Sequence, residues 1–312
     1  MLNFVIECVG IIKNTEINDM KKLLLIINPV AGKGKAKKYL FDATNIFSAH
    51  GYSVTVMPTT PDGNTEAEII ARSKDFDLAV AIGGDGTLNA VASGIVKSGT
   101  NLPMGYIPLG STNDFGLSLG LSNNVKEACT KIATTEPKTI DVGTINGRHF
   151  VYVACTGIFT GASYSTSQKM KHIFGHAAYV LKGACDLCRP QKAHYVIETD
   201  DGDFEGDFLY AGVSNTVRLA GIFSLERSNV VFNDGIFELT MIKAPTGPLN
   251  GAALLGNIIT SRIHTHRFVR KKIKKAVIRC NKEKGWSVDG ENGGKVLETV
   301  IEVKEKALRF IY

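Results

Sequence analysis

The stretch Asp77-Leu78-Ala79-Val80-Ala81-Ile82-Gly83-Gly84-Asp85-Gly86-Thr87-Leu88-Asn89-Ala90 decides how this chain is read. An apolar run stops at Gly-Gly-Asp-Gly-Thr, after which Leu88, Val91, Ala92 and Ile95 recur at helical spacing. The pattern predicts a buried strand, a glycine turn and a helix N-terminus. Glycine in such a turn permits positive φ and lets a ligand approach the main chain. Unpaired N–H groups at a helix start favour an anion such as phosphate. Asp85 among them calls for an accompanying cation, and a nucleotide phosphate with Mg²⁺ meets all three conditions. The bland alternative, an ordinary strand-to-helix turn, has little need of so dense a glycine cluster.

Outward from this stretch the chain alternates. Strands are predicted at Leu23–Ile27, Ser53–Pro58, Leu78–Ile82 and Met104–Leu109, with helices over Ala36–Ala49, Thr65–Ser73 and after the glycine turn. Such alternation implies a parallel sheet covered by helices, with ligands at the carboxyl ends of its strands. From about Asp141 the texture becomes all-β. A hairpin turning at Asn146-Gly147 is followed by short strands at Ala193–Glu198, Phe204–Val213, Phe237–Ile242 and Lys275–Arg279. Helices are predicted at Ser167–Leu187 and about Leu249–Arg262, and the tail 299–312 returns to the first domain. The expected division is an α/β domain over about 20–140 plus 299–312, and a β-sandwich-rich domain over about 141–298.

At 312 residues the chain can bury two cores, and 44% hydrophobic with 21% charged residues is ordinary for a globular protein. No apolar run approaches the roughly 20 residues that span a bilayer. Six scattered cysteines suit a reducing, cytoplasmic setting. Cys185-x-x-Cys188 lacks the second pair of a zinc site and reads as two neighbours on a helix. The net charge is +6, yet Arg267–Lys284 alone holds nine basic residues and one acid, so the rest sums to −2. The basicity is a patch suited to anionic lipid head groups. A solvated strand face is the bland reading, and no aromatic stacking motif accompanies the patch to suggest nucleic acid.

A second motif, Gly110-Ser111-Thr112-Asn113-Asp114-Phe115, ends the fourth strand. Gly110 admits close approach, Ser111, Thr112 and Asn113 can contact phosphate or sugar, and Asp114 offers a second carboxylate beside Asp85. Alone, the run is also a plain helix N-cap. Together with Gly83–Asn89 and the early Asn28-Pro29-x-x-Gly32-Lys33, it resembles the diacylglycerol kinase catalytic-domain family, closest to the soluble bacterial branch and related to sphingosine and ceramide kinases. The resemblance extends to Lys171–Gly183, Asn233-Asp234-Gly235-Ile236-Phe237 and Val288-Asp289-Gly290-Glu291, covering roughly residues 21–312.

That resemblance implies a kinase fold of the NAD-kinase and diacylglycerol-kinase type, using ATP and Mg²⁺ to phosphorylate a lipid hydroxyl, most readily diacylglycerol to phosphatidate. Asp85 and Asp114 would hold the metal. Gly83, Gly84, Gly86, Thr87, Gly110, Ser111, Thr112 and Asn113 would line the phosphates, with Asn28, Lys33 and Thr59 at neighbouring strand ends. Asp289 matches the family's general base, and Glu291 would position nucleotide or metal. Lys182 and Asp141 match positions near the active site. Asp234 falls at a second, structural Mg²⁺, where Asn233 replaces an acid by a weaker neutral ligand. Ala90 stands in place of a common Glu, and Leu117 in place of a basic residue. An NAD kinase-like activity and a catalytically weak ATP- or lipid-binding regulator are the alternative readings. A peripheral membrane location follows from the lipid substrate, and a homodimer is left open. Residues 1–19 are expected to lie outside the fold, with Met20-Lys21-Lys22 a natural start. An upstream mis-start is the accompanying expectation, and mass spectrometry of the native protein checks it: the first peptide should begin at Met20, and peptides from 1–19 would overturn the mis-start.

Overall fold

The computed structural model describes residues 20–34, 36–60, 63–110, 113–158, 192–216, 218–219, 223–224, 230–245, 254 and 267–312. The alternating half runs β1 (Lys21–Ile27), α1 (Ala36–Ala49), β2 (Tyr52–Pro58), α2 (Thr65–Arg72), β3 (Leu78–Gly83), α3 (Asp85–Ser98), β4 (Met104–Pro108), α4 (Asp114–Ser118) and α5 (Val125–Thr134). β1 pairs in parallel with β2 on one side and β3 on the other, and β3 pairs in parallel with β4. Strand order therefore reverses between β1 and β3, the place where ligands gather in open α/β sheets.

The buried strands separate two layers. Leu23, Leu25, Ile27, Val80 and Ile82 face Phe47 of α1 and Cys129 and Ile132 of α5. Leu24, Ile26, Ala79 and Ala81 face Ile69 of α2 and Leu88, Val91 and Ile95 of α3. Burial on both faces explains why these strands read as continuous apolar runs.

The mostly-β half comprises β5 (Lys138–Ile145), β6 (Arg148–Phe150), β7 (Val153–Gly157), β8 (Ala193–Thr199), β9 (Phe204–Ser214), a ribbon of β10 (Arg218–Leu219) and β11 (Phe223–Ser224), β12 (Phe237–Lys243), β13 (Phe268–Ile273), β14 (Lys275–Val288) and β15 (Glu291–Ile311). Asn146 and Gly147 turn the β5–β6 hairpin with φ of 47° and 81°, as an Asn-Gly hairpin demands. The helices expected at Ser167–Leu187 and about Leu249–Arg262 lie outside the described residues, Leu254 excepted.

Among the described residues one 13-stranded sheet runs through both halves, in the order β13-β12-β9-β7-β14-β15-β4-β3-β1-β2, with β5, β6 and β8 branching from it. The join is β15. It pairs antiparallel with β14 and β5 along most of its length and ends parallel to β4, Phe310 opposite Met104 and Ile311 opposite Gly105. Leu308 and Phe310 sit in the same core cluster as α3, Tyr152 and Tyr210. Phe310 is fully buried and meets Phe115 edge-on at 5.6 Å. Phe310→Ala is therefore expected to cost about 3–5 kcal/mol in urea-monitored unfolding, and a loss below about 1 kcal/mol would show that the tail does not anchor the sheet.

Candidate active site

The glycine cluster works differently from its sequence reading. Gly83, Gly84, Gly86 and Gly110 are not among the positive-φ residues, and Gly84 is extended at φ −95°, ψ −173°. What they supply is space. A Cβ on Gly83 would fall 2.7 Å from Cβ of Thr87, one on Gly110 2.6 Å from Cα of Gly84, and one on Gly86 2.9 Å from Oε1 of Glu291. The β3–α3 and β4–α4 loops thus touch main chain to main chain, and Glu291 reaches the first turn of α3.

Asn113 shapes the second loop. It adopts φ 52°, ψ 40°, and its Oδ1 accepts hydrogen bonds from Gly110 N (2.8 Å) and the Tyr106 hydroxyl (3.3 Å). Its Nδ2 donates to Gly110 O at 3.0 Å, and its N–H donates to Oδ2 of Asp85 at 3.2 Å. Oδ1 of Asp85 is buried with no hydrogen-bond partner among the described residues. Burial, then the nearby carboxylates of Asp114 and Asp289, push the Asp85 carboxyl up to about 8. Asp114 is buried at 2% exposure. A cation would relieve this crowding of acids. Even so, among the described residues no three His, Cys, Asp or Glu side chains are grouped so as to hold a metal ion.

Asp289 comes from the far side of the sheet, at the two-residue turn joining β14 to β15. Asp289 and Gly290 have φ of 47° and 84°, so the segment is a hairpin turn as well as a site element. The side chain is 1% exposed. Oδ1 accepts the N–H groups of Tyr152 (3.1 Å) and Val153 (2.9 Å). Oδ2 accepts Val151 N–H (2.7 Å) and Nδ2 of Asn89 (2.6 Å). Burial raises this carboxyl and the four donors oppose the rise. Replacing Asp289 by Ala would strip partners from three buried N–H groups, so that substitution perturbs the fold as well as the chemistry, contrary to a reading of Asp289 as catalytic alone.

The remaining expected residues divide clearly. Asn28 and Thr59 cap the ends of β1 and β2: Asn28 N–H donates to Ile82 O and Thr59 N–H to Ile27 O, both at 2.9 Å. Oδ1 of Asn28 accepts Val30 N–H at 3.1 Å, which curls its own loop. Lys33 lies in the 3₁₀ turn Ala31–Gly34. Ser111, Thr112 and Lys182 lie outside the described residues. Asp141 belongs elsewhere: its carboxylate accepts Gly235 N–H and Lys306 N–H, both at 2.7 Å, under the loop that carries Asp234. Asp234 is exposed, and its Oδ1 accepts Ile236 N–H at 3.1 Å. Strand neighbours also trim the basic stretch, because Lys271 pairs with Asp201, Lys275 with Glu302, and Arg279 with Glu198 and Glu298.

Two residues without an assigned role emerge beside the site. Asn89, one turn into α3, bridges Asp289 to His149 O (3.2 Å) and so ties the glycine-turn helix to the β-rich half. His149 is 5% exposed, and neither ring nitrogen has a partner among the described residues. Its place in the Arg148-His149-Phe150 strand carried no signal, since burial of a lone His depends on distant packing.

The family model that matches, at residues 22–145, is described as the diacylglycerol kinase catalytic domain. A diacylglycerol kinase of Staphylococcus epidermidis is 32% identical over 292 residues, 91% of this chain and 90% of that protein. One from Bacillus subtilis is 31% identical over 281 residues, 88% of this chain and 91% of its own. Among solved structures, a putative diacylglycerol kinase from Bacillus anthracis superposes with a TM-score of 0.79 at 23% identity, covering 96% of this chain and 98% of that one, which establishes the shared fold.

Burial, with Lys304 and Lys97 nearby, holds the His149 imidazole below its ordinary range. The unfolded chain then binds more protons than the folded one between the two values, so stability rises with pH there. Urea unfolding should therefore lose stability as pH falls below about 6.5, and His149→Leu should flatten that limb. An unchanged pH slope in the variant would exclude His149 as its source.

Proposed function

The chain belongs to the diacylglycerol kinase catalytic-domain family, and on that footing we propose that it transfers the γ-phosphoryl group of ATP to a lipid primary hydroxyl, with diacylglycerol as acceptor and phosphatidate as product. The observation that carries this reading is the joining of the β3–α3 and β4–α4 loops, where Asn113 N–H donates to Oδ2 of Asp85 and Oδ1 of that buried acid is left without a partner among the described residues.

Phosphoryl transfer depends on positioning and charge neutralisation more than on covalent work. Asp85 and Asp114 would hold Mg²⁺, which when bound neutralises the charge on the phosphates. The orphaned Oδ1 of Asp85 fits that task. The N–H groups opening α3 would face the nucleotide phosphates, and the contact of Gly84 with Gly110 brings the two loops together there. Asn28 and Thr59 flank the same crevice. Glu291, over Gly86, would orient the nucleotide.

Asp289 would take the proton of the lipid hydroxyl. Both of its oxygens already carry two donors, and three of the four are main-chain N–H groups. Only the Asn89 amide can turn aside, so a vacant acceptor on Oδ2 requires Asn89 to release it. No helix among the described residues is long and apolar enough to cross a membrane. Access to the lipid would then be peripheral, through the positive face left on Arg267–Lys284. The structural Mg²⁺ suggested at Asp234 finds little support, since that carboxylate is engaged with its own turn.

A radiolabelled-ATP assay offering diacylglycerol, other lipids and NAD separates the readings. Label is expected on diacylglycerol, with Asp85→Asn lowering turnover by about 10³-fold or more while the unfolding midpoint stays near wild type. Label on NAD would replace the lipid kinase reading, and label on no acceptor would favour a binding regulator.

A further inference from the structure

The two outermost strands of the β-rich half carry a second polar site. β12 lies between β9 and the edge strand β13. Register places Ser214, Glu238 and Lys272 in one row across the three strands, and Gly212, Thr240 and Arg270 in the next. Paired residues of antiparallel strands share a face, so these side chains project together. Their opposite face is apolar: Val213, Phe237, Leu239, Met241 and Ile273 fill a core.

On the polar face, Ser214 is fully buried, Glu238 is 5% exposed and Thr240 is 6% exposed. Ser214 Oγ, Glu238 Oε2, Thr240 Oγ1 and Arg270 Nε are all buried, and none has a hydrogen-bond partner among the described residues. Folded proteins leave few such atoms unpaired, and two of these four, on Glu238 and Arg270, belong to residues that line an open space. A cavity of about 190 Å³ opens at the same place, lined by Glu238, Arg270, Lys271 and Lys272. That volume equals roughly six waters at their share of the liquid, enough for a tetrahedral oxyanion.

The donors define the chemistry. Arg270 presents a planar fork suited to phosphate oxygens and Lys272 a compact cation, and both line the cavity, whereas Ser214 and Thr240 lie beneath it. Lys271 is already paired with Asp201. Glu238 is the single acid, and among the described residues no cation lies within ion-pair distance of it. Burial, opposed by Arg270 and Lys272, pushes its carboxyl up to about 7. A carboxyl so raised is protonated in a large fraction of molecules near neutrality and can donate to an anion.

We propose that the cavity over the paired strands β12 and β13, at Glu238, Arg270 and Lys272, is a binding subsite for a phosphoryl oxyanion, distinct from the site proposed for the nucleotide and reached from the sheet edge. The same chemistry is carried by inorganic phosphate and by the headgroup of an anionic phospholipid such as phosphatidate. The subsite stands on the geometry of these strands alone, so it does not depend on the phosphotransfer reading.

Calorimetric titration of the full chain without ATP tests it, with inorganic phosphate and dihexanoyl phosphatidate as the two probes. At least one probe should bind, and Arg270→Ala should weaken that binding by about tenfold or more, a charge-assisted hydrogen bond being lost. Thermal unfolding confirms that the variant is folded. If it is not, Lys272→Ala at an exposed position serves instead and should weaken the same binding. Equal affinity for both probes assigns the site to free phosphate, and preference for the lipid assigns it to a headgroup. Failure of both probes to bind, or binding indifferent to Arg270 and Lys272 alike, would overturn the subsite.

Discussion

The carboxylate of Asp289 joins the two halves of the molecule. Three consecutive N–H groups, Val151 to Val153, and the amide of Asn89 converge on its two oxygens. A buried acid with so many donors is held in one orientation, because leaving any of those N–H groups unpaired costs about 1–3 kcal/mol. The bond from Asn89 also sets where α3 begins relative to the hairpin turn, and hence where Asp85 stands relative to Asp289. The placing of α3 and the stability of the fold share one set of hydrogen bonds.

Much of the alternating half was legible in the sequence because its strands are buried on both faces and end at glycine, proline or asparagine. Strands β1 to β4 begin or end within a residue or two of their expected limits. The turn glycines have a different reason from the expected one, since close packing, against main chain at Gly84 and Gly110 and against the Thr87 side chain at Gly83, and not positive φ, calls for them. Asp289-Gly290 entered as the acid that the resemblance implies, and the structure makes the pair a two-residue hairpin turn whose acid is buried against the main chain of Val151 to Val153.

What escaped the sequence depends on partners far along the chain. Asp141 was expected near the active site, but which partners an Asp inside a strand meets, here the backbone of Gly235 and Lys306, is decided by tertiary register. The net charge of Arg267–Lys284 overstated the exposed field, because Glu198, Asp201, Glu298 and Glu302 come from other strands to pair with it. β13 and the full length of β15 were missed because their charged residues interrupt the apolar alternation that marks a strand.

β15 leads away from the Asp289 turn and finishes against β4, twenty-one residues later. Two lobes sharing one hydrogen-bonded ribbon cannot swing apart on a loose tether as domains linked by a coil do. Movement of one half against the other would run through changes in sheet twist, or through the irregular ladder between Lys304 and Leu308, where Lys306 takes a φ of 51°. The grip on a substrate would then tighten like the wringing of a cloth and not like the shutting of a book.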